Sequence, residues 1–256
     1  MNIDVEQRRA EIMERIHSKG SVRVSELSRH YGISEVTVRS DLEYLESQGQ
    51  LNRVHGGAVG TGKMYANMDL SERYMTNASY KKGIARIAAD LIEDDDTLMM
   101  NAGTTLAYVL HAARGKKNVR VVTNSLQNAM ELASHPGFKV ILLGGDLDAK
   151  YQFTYGIETI AQLEQYRANK CIISVDGINK ADGMTLYYAN ESATVRKMIA
   201  FSDRVIVVAD STKLGKSTFS RVGDLSQIDI LVTNQKDGSE EIDALTELGA
   251  TVYQAE

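Results

Sequence analysis

The stretch Ser34-Glu-Val-Thr-Val-Arg-Ser-Asp-Leu-Glu-Tyr-Leu-Glu-Ser-Gln-Gly49 decides how the start of this chain folds. Ser34 is a favoured helix N-cap and Gly49 a favoured stop, so a helix is expected over 35–48. Val38, Leu42 and Leu45 fall at i, i+4 and i+7, one buried stripe. With that stripe inward, Glu35, Thr37, Arg39 and Ser40 lie near the exposed N-terminal turns. Toward the N-terminus, residues 5–19 read as a helix with Ile12, Met13 and Ile16 on one face and Gly20 as its stop. Residues 21–24 read as a short extended piece, and Ser25 as the cap of a second helix over 26–30 that ends near Gly32. Toward the C-terminus, residues 51–54 read as a strand and 55–58 as a Gly-rich turn. Two helices joined by a short Gly-containing turn, then a β-ribbon, predict a winged helix-turn-helix over residues 1–59.

Such a recognition helix enters the DNA major groove with its N-terminal residues on base edges. Arg39 can donate two hydrogen bonds to guanine or pair with phosphate. Ser34, Thr37 and Ser40 offer hydroxyls to bases or phosphates at a helix N-terminus that itself attracts anions. Arg53 and His55, beside Gly56 and Gly57, are placed to grip the sugar-phosphate backbone from the wing. Charge gives this reading no support. The chain carries 29 Lys and Arg against 34 Asp and Glu, and residues 1–59 hold eight of the former and nine of the latter. Small helical hairpins with a strand also occur in proteins that never touch DNA, so the pattern alone leaves both readings open.

Residues 60–79 show no clear period and read as a linker. From residue 80 to 256, short apolar runs alternate with amphipathic segments, which predicts an α/β domain with a parallel sheet. Strands are expected over 97–101, 119–122, 139–143, 171–175, 204–209, 228–232 and 251–253, and a helix over 81–92. The runs are apolar throughout, as strands covered on both faces must be. Most end in small polar residues, and in such sheets the ligand crevice lies beyond the strands' carboxyl ends. Gly103-Thr104-Thr105, opening a helix, is a compact anion site. Lys213 supplies a full charge at another strand end, and Asn124 and Asp176 are able to bind hydroxyl groups. A phosphorylated polyol suits that combination.

Single features take plainer readings. One cysteine, Cys171, excludes an intrachain disulfide and a multi-cysteine zinc site, and fits a reducing cytoplasm. It opens an apolar strand and reads as a small buried hydrophobe. His17, His30, His111 and His135 show no metal spacing, and no metal or cofactor is expected. Asp94-Asp-Asp96 reads as a solvated turn. No window is long and apolar enough to span a membrane, and residues 1–15 lack a signal core, so no membrane partner is expected.

Arg8-x3-Ile12-x3-Ile16, Ser34-Glu-Val-Thr-Val-Arg-Ser-Asp-Leu42 and Leu45-Glu-x-x-Gly49 together resemble the N-terminal signature of the DeoR/GlpR family of bacterial transcriptional regulators. Arg53-Val-His-Gly-Gly-Ala58 looks like that family's wing, and Ser40 stands where Lys, Arg or Asn is usual. The likeness continues through Asn101-Ala-Gly-Thr-Thr105, Thr123-Asn-Ser125, Leu143-Gly-Gly145, Ser174-Val-Asp-Gly-Ile178, Asn190-Glu191 and Asp210-Ser-Thr-Lys213-Leu-Gly215. Asn101 replaces an Asp common in the family, and Leu186-Tyr-Tyr188 replaces a Thr-rich stretch. The resemblance implies a sensor domain of Rossmann-like α/β fold, related to ribose-5-phosphate isomerase and CoA transferases. It also implies a sugar-phosphate effector held by Asn101, Gly103, Thr104, Thr105, Thr123, Asn124, Ser125, Gly145, Asp176, Gly177, Glu191 and Lys213.

Two functions are carried forward. The first is a cytoplasmic repressor, dimeric or tetrameric, that binds double-stranded operator DNA and is relieved by a phosphorylated sugar. The second is a sugar-phosphate isomerase with an accessory N-terminal module, using Asp176, Glu191 and Lys213 for proton transfer.

Overall fold

A computed structural model describes residues 4–19, 21–54, 56–61, 68–235 and 238–255, without the side chains of residues 17–19 and 54. The chain divides into two compact units, Met1–Ala78 and Ser79–Glu256.

In the first unit, α1 (Val5–Lys19) is followed by β1 (Ser21–Arg23), α2 (Val24–Tyr31), α3 (Glu35–Ser47), β2 (Leu51–Val54) and β3 (Gly57–Gly60). The three strands form an antiparallel sheet in the order β1-β3-β2. Ile12, Ile16, Val22, Val24, Leu27, Val38, Leu42, Leu45, Leu51 and Ala58 make one apolar core, so the stripe of α3 faces inward as its spacing predicts. Gly32, with φ 64, turns the chain between α2 and α3. α2 begins earlier than expected. Arg23 occupies its N-cap position with no side-chain bond, and Ser25 lies inside the helix. Burial of Val24 in the core sets that start rather than a capping hydroxyl. The expected stop, Gly20, lies outside the described residues.

Residues 60–79 hold more order than their lack of period suggests. α4 (Leu70–Met75) carries a full capping box, with the Asp69 carboxylate accepting from the Glu72 N–H and the Glu72 carboxylate from the Asp69 N–H.

In the second unit, α5 (Ala78–Asp90) leads into β4 (Thr97–Met100), α6 (Thr104–Ala112), β5 (Val119–Thr123), α7 (Leu126–Ala133) and β6 (Phe138–Leu142). A hairpin, β7 (Asp146–Asp148) and β8 (Phe153–Tyr155), precedes α8 (Ile157–Leu163) and β9 (Lys170–Ser174). Then come β10 (Gly177–Asn179), β11 (Gly183–Leu186), α9 (Ala189–Ala200), β12 (Val205–Val208) and β13 (Ser220–Gly223). β14 (Ile230–Thr233), α10 (Glu240–Glu247) and β15 (Thr251–Gln254) complete it.

Seven strands form one parallel sheet in the order β15-β14-β12-β9-β4-β5-β6. Side chains alternate between its faces. Cys171, Ile173, Val205 and Val207 join a core with α8, α9 and α10. Ile172, Ile206, Val208 and Leu98 join a second core with α5, α6 and α7. Both faces are covered, which is why the strands read as unbroken apolar runs. All seven were legible; the antiparallel sheet β10-β11-β13 and the β7–β8 hairpin were not.

Chain order reverses between β4 and β9, and a crevice at the carboxyl ends is expected there. The opposite ends are tied by charge. Asp96, read as part of a solvated turn, is buried and pairs with the Lys170 ammonium at 2.7 Å, because it anchors the start of β4 to β9.

Candidate functional site

The first unit presents α3 outward. The Ser34 hydroxyl accepts from the Thr37 N–H at 3.2 Å and lies 2.9 Å from the Thr37 hydroxyl. This cap fixes the helix N-terminus, where anions are favoured. Arg39 pairs with Glu35 at 2.6 Å, one turn apart and exposed. Such a pair is worth only about 0.3–0.5 kcal/mol, so a guanine edge or phosphate displaces it at small cost. Ser40 is exposed beside it. Val36, which the sequence reading passed over, is 71% exposed at the same end. An apolar side chain there is able to meet a thymine methyl group. Its signal was present: it lies two residues before Val38, on the far side of the helix.

Arg53 sits on β2, and its guanidinium lies 3.5 Å from Glu43 and 3.7 Å from Glu46. Its own N–H donates to the Glu46 carboxylate at 2.7 Å, which stitches the wing's base to α3. Gly57 lets β3 approach β1, since a Cβ there would collide with the Val22 carbonyl oxygen. Gly56 is exposed at the turn before it. His55 lies outside the described residues. Two further arginines serve the scaffold: Arg8 and Arg9 donate to the two oxygens of the buried Asp41 carboxylate, at 2.7 and 2.9 Å. They clamp α1 to α3, so they are not free to neutralise phosphates.

In the second unit, most of the predicted residues follow the carboxyl ends of β4, β5, β9 and β12, whereas Gly145 lies beyond β6 and Glu191 on α9. Asn101 follows β4 and is fully buried. Its carboxamide oxygen accepts from the Ser174 N–H (2.9 Å), and its NH2 donates to the Ser174 carbonyl (3.2 Å) and to Glu191 (3.0 Å). It therefore links the two strands of the switch point. Gly103 precedes α6, and a Cβ there would strike the Ser174 hydroxyl. Thr104 and Thr105 are buried in the first turn of α6. Thr123 accepts from the Ser125 N–H at 3.1 Å, and the Ser125 hydroxyl caps α7. Asn124 is buried, with its NH2 on the Thr154 carbonyl at 3.0 Å. Gly145 lies exposed at the turn into the hairpin, packed against Thr159 and Tyr155.

Asp176 follows β9. One carboxylate oxygen accepts from the Tyr187 N–H at 3.0 Å and the other lies 4.0 Å from the Lys213 ammonium. Gly177 permits close approach of the Lys216 backbone, which a Cβ would block. Two lysines that the sequence reading missed join Lys213. Lys81, on α5, is 1% exposed and donates to the Thr104 hydroxyl at 2.9 Å. Burial and the charge of Lys213 push the Lys216 ammonium down to about 8, against the pull of Asp210. Burial alone would raise the Asp210 carboxyl, but the charges of Lys213 and Lys81 and bonds from Thr212 hold it below the ordinary carboxylate value. Three lysines thus lie near a helix N-terminus with two aspartates, Asp176 and Asp210, and a third carboxylate, Glu191, is held by Asn101, so cations and carboxylates balance there. A lysine 23 residues before its threonine partner leaves no local sequence signal.

Among the described residues no group of His, Cys, Asp and Glu is arranged to hold a metal ion, and no helix is long and apolar enough to cross a membrane. Burial pushes the Cys171 thiol up to about 12, which makes it inert.

Residues 8–62 match the DeoR-like helix-turn-helix domain, and residues 76–235 match the DeoR C terminal sensor domain. The chain is 35% identical over 230 residues to the uncharacterized HTH-type transcriptional regulator YulB of Bacillus subtilis, covering 90% of this chain and 89% of the relative. It is 32% identical over 228 residues to the glycerol-3-phosphate regulon repressor of Escherichia coli, covering 89% and 90%. Among solved structures it is similar to eIF2B delta from Chaetomium thermophilum, with a TM-score of 0.50, 17% identity and 90% of each chain covered. That last likeness is one of fold alone.

Proposed function

Because the chain belongs to the DeoR family of DNA-binding transcriptional regulators, we propose that it is a cytoplasmic repressor of a carbohydrate uptake or catabolism operon, relieved by a phosphorylated sugar. A relative named for the glycerol-3-phosphate regulon supports both the repression and the phosphorylated small molecule. The observation that carries the effector is the lysine cluster beyond the strand ends, where Lys81 donates to Thr104 at the start of α6 and shares Asp210 with Lys213, and Lys216 lies by Lys213 and Asp210. Buried cations at a helix N-terminus select a phosphate group. Asn101, Asn124, Asp176 and Glu191 line the remainder and suit hydroxyl groups. On the DNA side, Ser34, Glu35, Thr37, Arg39 and Ser40 meet the major groove, with Arg53, His55 and Gly56 on the backbone.

The domains divide the labour as residues 1–59 for DNA and 80–256 for the effector, with 60–79 between them. The protein acts as a homodimer or tetramer, since one near-neutral reading head carries few phosphate contacts and doubling multiplies affinity. The isomerase alternative finds no support, because the matched domains and the relatives named above are those of transcriptional regulators.

Lys213→Ala and Thr104→Val are expected to abolish induction while operator binding by gel shift stays intact. Induction by the cognate sugar phosphate that survives both substitutions would show that the phosphate lies elsewhere.

A further inference from the structure

The parallel sheet of the second unit ends in an open edge. β6 is its last strand and pairs on one side only, with β5. The Gly137 carbonyl accepts from the Val119 N–H, and the Leu143 N–H donates to the Thr123 carbonyl. Residues 137, 139, 141 and 143 therefore turn their backbone groups toward β5, and Phe138, Val140 and Leu142 turn theirs outward. The Phe138 N–H is taken by the His135 carbonyl at 3.1 Å. The N–H and C=O of Val140 and of Leu142 are left without a partner among the described residues. Natural proteins shorten, charge or cover such edges, because an unpaired strand is a template for another strand. Here Val140, Ile141 and Leu142 are all apolar, and Leu142 is 44% exposed.

A second copy of the same edge satisfies these groups with none left over. When two β6 strands run antiparallel about a two-fold axis at Ile141, Val140 of each copy faces Leu142 of the other, and each such pair exchanges two hydrogen bonds. The Phe138 N–H stays with His135. Ile141 meets its twin on one face of the sheet, while Val140 and Leu142 meet across the other. Lys139, the one charge on β6, faces Leu143 and not its own copy. A strand seam alone is small for a stable dimer, and exposed apolar side chains flank it. Met130, on the α7 helix that packs against β6, is 75% exposed. Ile157, at the start of α8, is 82% exposed. α8 is tied to the end of β6, with the Thr159 hydroxyl donating to the Gly144 carbonyl and the Gly144 N–H to the Gln162 carboxamide. The other edge strand, β15, is flanked by α10, whose Glu240, Glu241, Asp243 and Glu247 two copies would set beside one another.

We infer that β6 is the seam through which two copies of this chain join, edge to edge, into one continuous sheet centred on Ile141. This rests on the homo-oligomer proposed above and adds the surface that makes it. A single sheet then carries the candidate effector residues of both copies.

Light scattering on the full chain eluting from a sizing column tests it. The unaltered chain is expected at the mass of two or four copies. Val140→Pro removes the outward N–H without touching the β5 ladder, and Leu142→Lys sets a charge on the seam. Each variant, confirmed folded by circular dichroism, is expected at half the unaltered mass. Hydrogen exchange needs no variant: in the assembled chain the Val140 and Leu142 amides should exchange as slowly as those of Lys139 and Ile141, which are bonded to β5. Unaltered mass in both folded variants would overturn the seam and leave the oligomer standing. So would fast exchange at Val140 and Leu142 in the assembled chain. A single-copy mass for the unaltered chain would overturn the seam and the oligomer together.

Discussion

Arg39 and Lys216 show how one side chain's partner decides its role. Arg39 rests on Glu35 in the free protein, in an exposed pair that little energy holds. Arg39→Ala should therefore cost operator affinity about 1–3 kcal/mol if it reads a base, with little change in thermal stability. Anisotropy titration against matched operator and random DNA measures this, and unchanged affinity would reject the role. Lys216 is the reverse case, a cation whose burial disfavours its charge and holds it near 8. Its folded value lies below its unfolded value, so between about 8 and 10.5 the unfolded chain binds more protons and stability rises with pH. An incoming phosphate favours the charged form. Effector affinity should therefore fall as pH climbs from 7 through 9, and Lys216→Met should bind more weakly with a flatter profile. A flat profile in the unaltered chain would place Lys216 outside the site. Arg39 was legible because its helix face could be read from three apolar positions. Lys81 and Lys216 were not, because tertiary packing alone brings them to Thr104 and Asp210.

At the scale of elements, α3 and the seven sheet strands were legible for the same reason. Each buries a periodic or continuous apolar pattern that is local in the chain. β10, β11 and β13 were not, because strands of three or four residues carry too few positions to show a period, and β11 pairs with a strand some 35 residues away. α2 misled through Ser25, an attractive cap that tertiary burial of Val24 overrode. The Asp41 clamp lay hidden as well, since nothing local marks a carboxylate on α3 as the partner of two arginines on α1. Asp41→Ala leaves the buried Arg8 uncompensated, and breaking a pair of this kind costs about 3–5 kcal/mol. Chemical denaturation should show the first unit unfolding at much lower denaturant while the second unit is unaffected. A first unit of unchanged stability would mean that Arg8 finds water instead.

For the whole molecule, the acidic balance was a poor guide to DNA binding. The reading head is nearly neutral, and two of its arginines, Arg8 and Arg9, hold α1 to α3 rather than facing out. Affinity must then come from a few placed groups and from doubling, which predicts a footprint of two half-sites one or more helical turns apart. Regulation requires that the sensor's ligand change the operator affinity of the reading head, a coupling that typically amounts to about 1–3 kcal/mol, or 5- to 150-fold. The most direct measurement is operator affinity, by anisotropy with the DNA upstream of the chain's own gene, in the presence and absence of phosphorylated sugars. The account predicts tight binding without ligand and at least a fivefold loss with one sugar phosphate, abolished by Lys213→Ala. Operator affinity indifferent to every sugar phosphate, or turnover of a sugar phosphate with no operator binding at all, would contradict it.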